Sequence, residues 1–502
     1  MRVPSEQASP ALDGPPSGSG TAGGSDLDPS GGLPGLACLG LSLASFLSLS
    51  LLGPSLVQPP LGGSGAPWTF HVDPPPGPVL GLLVAGILLA GLGLALCFRA
   101  VSRGWSPRPG RLLAAGVLLA AAFSLTPPVG SSDHLNYAAY GHMVVSGLDP
   151  YVTTASDLVG SPYGRAVQEW RETPSIYGPL VTGVQALAAL GGGDSPRLTV
   201  LLLSLVNGLA FVLTGLILYL RTRDEKARLR AVLLWSVNPL LLFHLVSGSH
   251  NDVLGVAAAV GALALFTAGT GNLWRAFGAG AAVGAAVAIK FPAGIVGGGP
   301  AWRLFTGRRF GELAALFGGA GLVVAVAYGL AGPHALDRVR EAADSISLAN
   351  PWHLVAGRDG GVLGLDLPRG LVSAGSLALM ALLLWLLARA LPEADPVLTV
   401  SASLVLAWLF AASYALPWYD GLGWALLAFL PWSRFDWCML ARTVALSLAY
   451  LPARDPRLAG LPDGLHWLVT GLRATVMPFV LASVLALLVW CCLRRPRPAP
   501  AL

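Results

Sequence analysis

The chain has 502 residues, of which 54% are hydrophobic and only 11% charged, against about 25% charged in soluble domains. This excludes a soluble globular enzyme and indicates an all-α polytopic membrane protein with about 12–14 transmembrane helices, because many segments reach the roughly 20 apolar residues that cross a bilayer. The formal net charge of +5 does not point to nucleic acid, because the Arg residues sit at helix ends and in short loops, where the positive-inside rule puts them.

Residues 1–34 are rich in Pro, Ser and Gly and lack aromatics, which predicts a disordered N-terminal tail. No charged stretch leads directly into an apolar one there, so no cleaved signal peptide is expected. From 35 to 493 the chain reads as one transmembrane domain, with apolar segments at about 36–53, 78–98, 111–127, 198–220, 231–248, 252–269, 312–330, 371–391, 397–416, 420–432, 438–453 and 473–493. The five Cys, namely Cys38, Cys97, Cys438, Cys491 and Cys492, all fall in apolar segments, which favours packing over a disulfide or a metal site.

Basic connectors set the sides. Arg99, Arg103, Arg108 and Arg111 mark one cytoplasmic loop, and Arg221, Arg223, Lys226, Arg228 and Arg230 another. Arg303, Arg308 and Arg309 form a third, and 494–502 a basic cytoplasmic tail. The loops 131–180 and 332–370 and the turn after Pro417 then fall outside. Ile176 to Leu190 is apolar but short, and is expected to be an interfacial or re-entrant helix. Pro292 and the following glycines break the segment 276–304 into a predicted hairpin of two short helices. Such breaks at membrane depth are tolerated where they line a cavity or are buried in protein.

The polar loop 131–180 carries Asp133, His134, Asp149, Glu169, Arg171 and Glu172 among many aromatics. Long loops of this kind are usually functional or disordered, and the Tyr and Trp content argues against disorder. Other polar groups converge on the same side: His250, Asn251 and Asp252 in GSHND, then Trp418, Tyr419 and Asp420 in ALPWYD, then Lys290 at the tip of the broken hairpin. Ionisable residues in membrane segments are costly and are functional candidates by default. Lys290 is one of only two Lys in the chain. A buried ammonium at a helix break suits a phosphate or carboxylate, although a Lys can also snorkel to the headgroups. Asp133 can cap the helix that begins near Leu135, and capping is compatible with catalysis. Asp149 in GLDPY suits an Asx turn before Pro150. Glu169, Arg171 and Glu172 read more readily as a solvated face than as ligand contacts. Span-end aromatics are mostly interfacial anchors, but Trp418 and Tyr419 flank an acid.

No GxxxxGK[ST], HExxH or CxxC motif occurs, so neither a nucleotide nor a resident metal is called for, although a divalent metal is not excluded. The glycine runs lie in membrane segments, where small residues serve helix packing. A sugar donor would therefore be lipid-linked and met from outside.

An ordered set of motifs resembles the GT-C superfamily of polytopic glycosyltransferases, and within it the bacterial polyprenol-phosphate-mannose-dependent α-(1→6)-mannosyltransferases that build the mannan backbone of lipomannan and lipoarabinomannan. The motifs are SSDHLNYAAYG at 131–141, GLDPY at 147–151, TPSIYGPL at 173–180, NPLLLFHLVSGSHND at 238–252, AIKFPA at 288–293 and ALPWYD at 415–420. The resemblance implies a polyprenyl-phosphate-mannose donor, inverting transfer to a hydroxyl of an envelope glycan, and Asp133 as the catalytic carboxylate. No DxD or DE pair surrounds Asp133, and the motifs do not carry the acceptor. Inverting transfer needs a general base and stabilisation of the departing phosphate. Asp133 can supply the first, and Lys290 and His250 are the candidates for the second. His134, Tyr137, Arg171, Tyr177, Asn251, Asp252, Trp418, Tyr419 and Asp420 are the candidates for donor or acceptor contacts. A lipid-linked-sugar flippase or transporter also uses broken helices and intramembrane charges, but no internal repeat with matching breaks is visible. A non-catalytic scaffold of an envelope assembly, or a related enzyme for another sugar, are the remaining readings.

Overall fold

The computed structural model describes residues 31–494 apart from 223, 270, 338–344, 357–360, 393 and 455–461. Of the tails read from sequence at 1–34 and 494–502, residues 1–30 and 495–502 lie outside the described residues, and Leu33 and Pro34 belong to the first helix rather than to a tail. Among the described residues the regular structure is helical, with no strand. Seven helices are long and apolar enough to cross a membrane: α1 (Leu33–Leu52), α2 (Pro76–Ser102), α7 (Pro196–Arg221), α8 (Glu225–Ser247), α12 (Phe310–Ala331), α13 (Arg369–Ala390) and α17 (Asp463–Leu493). Shorter apolar helices follow the same pattern: α3 (Pro109–Ser124), α6 (Pro179–Gly192), α9 (Asp252–Thr267), α10 (Leu273–Ile289) and α14 (Pro396–Ala411). The remaining helices are α4 (Asp133–Val145), α5 (Pro162–Ala166), α11 (Gly298–Thr306), α15 (Asp420–Ala428) and α16 (Arg434–Ala449). The expected all-α multi-pass membrane protein is what the chain forms, with fewer full-length spans than the apolar segments suggested.

Local sequence explains the boundaries. Several helices begin on Pro, whose fixed φ and missing N–H suit the first helical position. The preceding side chain then often caps: Ser195 accepts from Leu198 N at 3.2 Å, and Asp395 from Val397 N at 2.8 Å. Helices α10 and α12 approach closely because both present glycines. A Cβ at Gly280 would sit 1.9 Å from the Leu316 carbonyl oxygen, and one at Gly319 2.1 Å from that of Phe277, the small-residue packing typical of membrane interfaces.

Three irregular pieces position the site. Helix α8 is buried from Leu229 to Ser247 and is widened into π turns over Val232–Ser236 and Leu242–Ser247. Between them Pro239 removes one backbone donor, and Asn238 bridges the interruption by donating to Leu234 O at 3.1 Å and accepting from Leu240 N at 3.1 Å. The second piece is α6, whose 14 residues span about 21 Å at 1.5 Å each, short of the roughly 30 Å hydrocarbon core, as expected. The third is the break after α10. Lys290 leaves helical geometry at φ −146° and ψ 111°, and a 3₁₀ turn over Phe291–Gly297 leads into α11. The chain doubles back, since a Cβ on Gly297 would meet the Val283 side chain at 2.9 Å. The predicted hairpin forms, with a first arm of 17 residues and a second arm that is partly 3₁₀.

Two buried ion pairs tie the inner layers. Arg230 makes a two-pronged contact to Asp436 at 2.7 and 2.8 Å and donates to the Leu427 and Leu430 carbonyls. Arg442 lies 3.2 Å from Asp420, whose other oxygen accepts from Thr443 at 2.8 Å. The cysteines remain free thiols.

Candidate functional site

The site gathers at the ends of α4, α8, α9 and α10, with α15 and the segment after α16 closing over it. Asp133 is the first residue of α4, and its backbone N–H donates to Ser131 Oγ at 3.1 Å. Ser131 therefore satisfies an orphan donor of the helix, and the Asp133 carboxylate is left for other work. One turn on, the Tyr137 hydroxyl lies 3.4 Å from Asp133 Oδ2 and 2.6 Å from the Tyr177 hydroxyl.

The GSHND segment supplies the second wall. It leaves α8 with Ser249 at φ +53°, a left-handed conformation that costs a non-glycine residue about 1–3 kcal/mol and is found where function demands it. Ser204 and Asn207 hold that residue at 3.1 and 3.3 Å, and Asn207 also donates to Asn251 Oδ1 at 3.2 Å. His250 is thereby fully buried. Its Nδ1 lies 2.5 Å from the His244 carbonyl, so the proton sits on Nδ1 and Nε2 offers its lone pair. That Nε2 lies 3.7 Å from Asp133 Oδ2. The ring stacks on Trp418 with centroids 3.6 Å apart.

The third wall is the helix break. Gly178 donates to Ile289 O at 3.1 Å, and a Cβ on Gly178 would meet the Ala288 carbonyl oxygen at 2.2 Å. Only glycine lets the TPSIYGPL loop reach the break, and the result is that Tyr177 meets Lys290. The Lys290 ammonium lies 3.2 Å from Asp252 Oδ1 and over the rings of Tyr177 and Tyr419, 4.3 and 4.7 Å from their centroids. Cation–π contacts of this kind hold an ammonium without neutralising it. Lys290 is not a snorkelling residue, because its side chain is 15% exposed and enclosed by these groups.

Electrostatics single out Asp133. Burial pushes its pKa up from 3.8 to about 7. The carboxylates of Glu169 and Asp252 raise it further, while Lys290 and the Ser131 hydroxyl oppose them. Burial also pushes His250 down to about 4, so its ring is neutral at physiological pH. Several buried polar atoms around this centre have no hydrogen-bond partner within the protein: both ring nitrogens of His134, His250 Nε2, Asn251 Nδ2, Asp252 Oδ2 and Trp418 Nε1. Buried polar groups are ordinarily paired, and a concentration of unpaired ones beside a partly exposed carboxylate marks a place for a polar ligand.

The structure thus brings together Asp133, His134, Tyr137, Tyr177, His250, Asn251, Asp252, Lys290, Trp418 and Tyr419. It keeps two other candidates apart. Asp420 is committed to Arg442 and Thr443. Arg171 donates to the Gly164 and Val167 carbonyls at 2.7 and 2.6 Å, and so staples its own loop. Asp149 forms the expected Asx turn, accepting from Tyr151 N at 2.9 Å, and its other oxygen meets His334 at 2.9 Å.

Glu169 corrects the reading of a solvated face. It is 7% exposed, accepts a hydrogen bond from Ser132 Oγ, and lies 3.7 Å from Arg454. Arg454 also donates to Gln168 Oε1. Arg454 and Ser132 were missed by sequence reasoning. Arg454 stands 286 positions from Gln168, and no local signal marks it. Among the described residues no cluster of three or more His, Cys, Asp or Glu side chains is arranged to hold a metal ion.

Comparison with known proteins follows the motifs. The family described as α-(1→6)-mannopyranosyltransferase, N-terminal domain, matches residues 39–306. The chain is 35% identical over 138 residues to a probable α-(1→6)-mannopyranosyltransferase of Mycolicibacterium smegmatis, covering 26% of this chain and 24% of that protein. It is 37% identical over 139 residues to one of Mycobacterium tuberculosis, covering 26% and 23%. It is also 32% identical over 220 residues to α-(1→6)-mannopyranosyltransferase A of that organism, covering 42% and 40%. The chain thus spans about a quarter of the length of the first two of these relatives in its matched part. No solved structure matches the chain.

Proposed function

Because the chain belongs to the α-(1→6)-mannopyranosyltransferase family, matched over residues 39–306, we propose that it moves mannose from a polyprenyl-phosphate-mannose donor to a hydroxyl of a cell-envelope glycan, with inversion, forming α-(1→6) mannan linkages of the lipomannan type. The reaction takes place at the outer face of the plasma membrane. The observation that carries this reading is a partly exposed carboxylate, Asp133, held near neutral pKa beside a buried Lys290–Asp252 pair.

The geometry supports the following roles. Asp133 takes the proton of the acceptor hydroxyl as its oxygen attacks the anomeric carbon. The bond from that carbon to the donor phosphate breaks, and its electron pair leaves on the phosphate oxygen. A base whose pKa lies near the working pH combines a useful unprotonated fraction with the strength to accept a proton. Once protonated, the Asp133 carboxyl can donate to His250 Nε2, which its own Nδ1–His244 contact keeps available. This reading gives His250 to the base rather than to the phosphate. Lys290 has three donors, enough to keep Asp252 and take a phosphate oxygen as well.

Lys290→Met is expected to weaken binding of the donor by about tenfold or more, since a hydrogen bond to a charged group is worth roughly 1.5–3 kcal/mol. Lys290→Arg should restore binding only in part, because a planar fork suits a point-charge site poorly. The check is a titration with polyprenyl phosphate mannose in nanodiscs. Unchanged donor affinity in a folded Lys290→Met protein would reassign Lys290 to structure.

Sidedness has its own test. Val159 is 91% exposed on the 131–180 loop. In a background lacking the native Cys, Val159→Cys should react with an impermeant thiol reagent applied to intact cells. Labelling only after permeabilisation would invert the topology and remove the lipid-linked-donor argument.

A further inference from the structure

A cavity of about 490 Å³ opens between the 60–64 loop, the 162–168 stretch and the start of α7, apart from the Asp133 centre. Its size is in the range of about 300–1,000 Å³ typical of small-molecule sites. We propose that it is an acceptor subsite that holds the already built, neutral part of an α-linked mannose chain. This rests on the transferase reading above.

The charges in the cavity argue for a neutral occupant. Arg197 lines it, but its guanidinium is spent on the carbonyls of Gly62, Gly65 and Pro67 at 3.1, 3.0 and 3.2 Å. Arg165 also lines it and donates to Gly160 O at 2.6 Å. Arg197 is thereby unavailable to a phosphate, and Asp194 on the same wall opposes an anion and offsets the exposed Arg165. What remains are the Gln168 amide N–H groups, the Ser195 hydroxyl hydrogen, the Asp194 carboxylate and the open backbone at Gly63, where an added Cβ would meet nothing within 4 Å. Such a mixture of amide, carboxylate, hydroxyl and backbone groups suits sugar hydroxyls, each of which both donates and accepts.

The cavity is also wired to the reacting end. Leu61 in its wall packs into the same cluster as Leu135 and Tyr137 of α4, the helix that begins with Asp133. Gln168 on another wall accepts from Arg454, which lies against Glu169, and Glu169 takes the Ser132 hydroxyl. Occupation of the cavity by a chain would bear directly on the segment that aims the base. A growing polymer needs such a place, since a reacting end alone gives the enzyme little to distinguish a long acceptor from a short one.

The experiment compares a methyl α-(1→6)-mannobioside with the corresponding pentaoside, using full-length protein in nanodiscs. For the unaltered protein, KM should be lower for the pentaoside. Ser64→Trp adds bulk to the wall of the cavity at an exposed position. It should raise KM for the pentaoside by about tenfold, equivalent to roughly 1.4 kcal/mol, and erase its advantage over the bioside. Asp194→Ala should act in the same direction through a lost polar contact, and so guards against a folding artefact in the Trp variant. An equal change for both acceptors, or no change for either, would overturn the subsite. If the unaltered protein transfers mannose to neither acceptor, the transferase reading fails. Calorimetry with the pentaoside alone then judges the cavity: binding that Ser64→Trp abolishes upholds it, and no binding rejects it.

Discussion

Asp133→Asn is expected to lower mannosyl transfer by about 10²–10⁴-fold, the usual cost of losing a general base, while donor binding and folding survive. The substitution keeps the shape of the side chain and leaves the backbone contact to Ser131 Oγ intact. It removes one carboxylate from a crowded set that includes Glu169 and Asp252, so the folded state should lose nothing in stability. The same assignment fixes a pH profile. The Asp133 pKa is raised to about 7, and the base must be unprotonated to work. The value of kcat/KM should therefore climb as pH rises through about 7 and level off above it. A carboxylate of ordinary pKa would give a rate already flat from about pH 5 upward. Transfer assays with labelled donor across this range, together with thermal unfolding of the variant, decide the matter. Near-normal turnover by Asp133→Asn would move the base to Asp252 or Asp149.

The largest effect on stability is expected far from the chemistry. Arg230→Met removes a guanidinium that is 1% exposed and leaves Asp436, itself fully buried, without its cation. Breaking such a pair by removing one partner typically costs about 3–5 kcal/mol. The Leu427 and Leu430 carbonyls lose their donor in the same step. The Arg230→Met protein should give a much smaller folded fraction by fluorescence-detected size exclusion, whereas the double variant Arg230→Met/Asp436→Leu should recover much of it. If the single variant folds as well as the unaltered protein, the pair is not an anchor of the inner layer.

Local physics made much of this chain legible. Apolar length gave the helices, Pro292 and its glycines gave the break that frees Lys290, and basic connectors suggested the sides. The Asp133 and GSHND segments announced themselves because polar runs beside apolar ones are costly. Partnership was less legible. Asp420 sits next to Trp418 and Tyr419 in the chain, yet the turn sends its carboxylate to Arg442 and the two rings toward His250 and Lys290. The tautomer of His250 could not be read, because sequence cannot say that its Nδ1 would meet the His244 carbonyl. Glu169 read as solvated, because the Arg that covers it arrives from hundreds of residues away. These are facts of long-range packing, and periodicity does not encode them.

The family match ends at residue 306, while three of the groups that finish the site come later: Trp418 under His250, Tyr419 under Lys290 and Arg454 against Glu169. The front half thus carries Asp133, Asp252 and Lys290, and the back half adds two rings and one cation that close over them. A chimaera joined near residue 306 would keep its reactive groups and exchange their roof. For such hybrids compatibility would turn on these three contacts, so the joint between the halves is where relatives can diverge in what they accept without altering how they react.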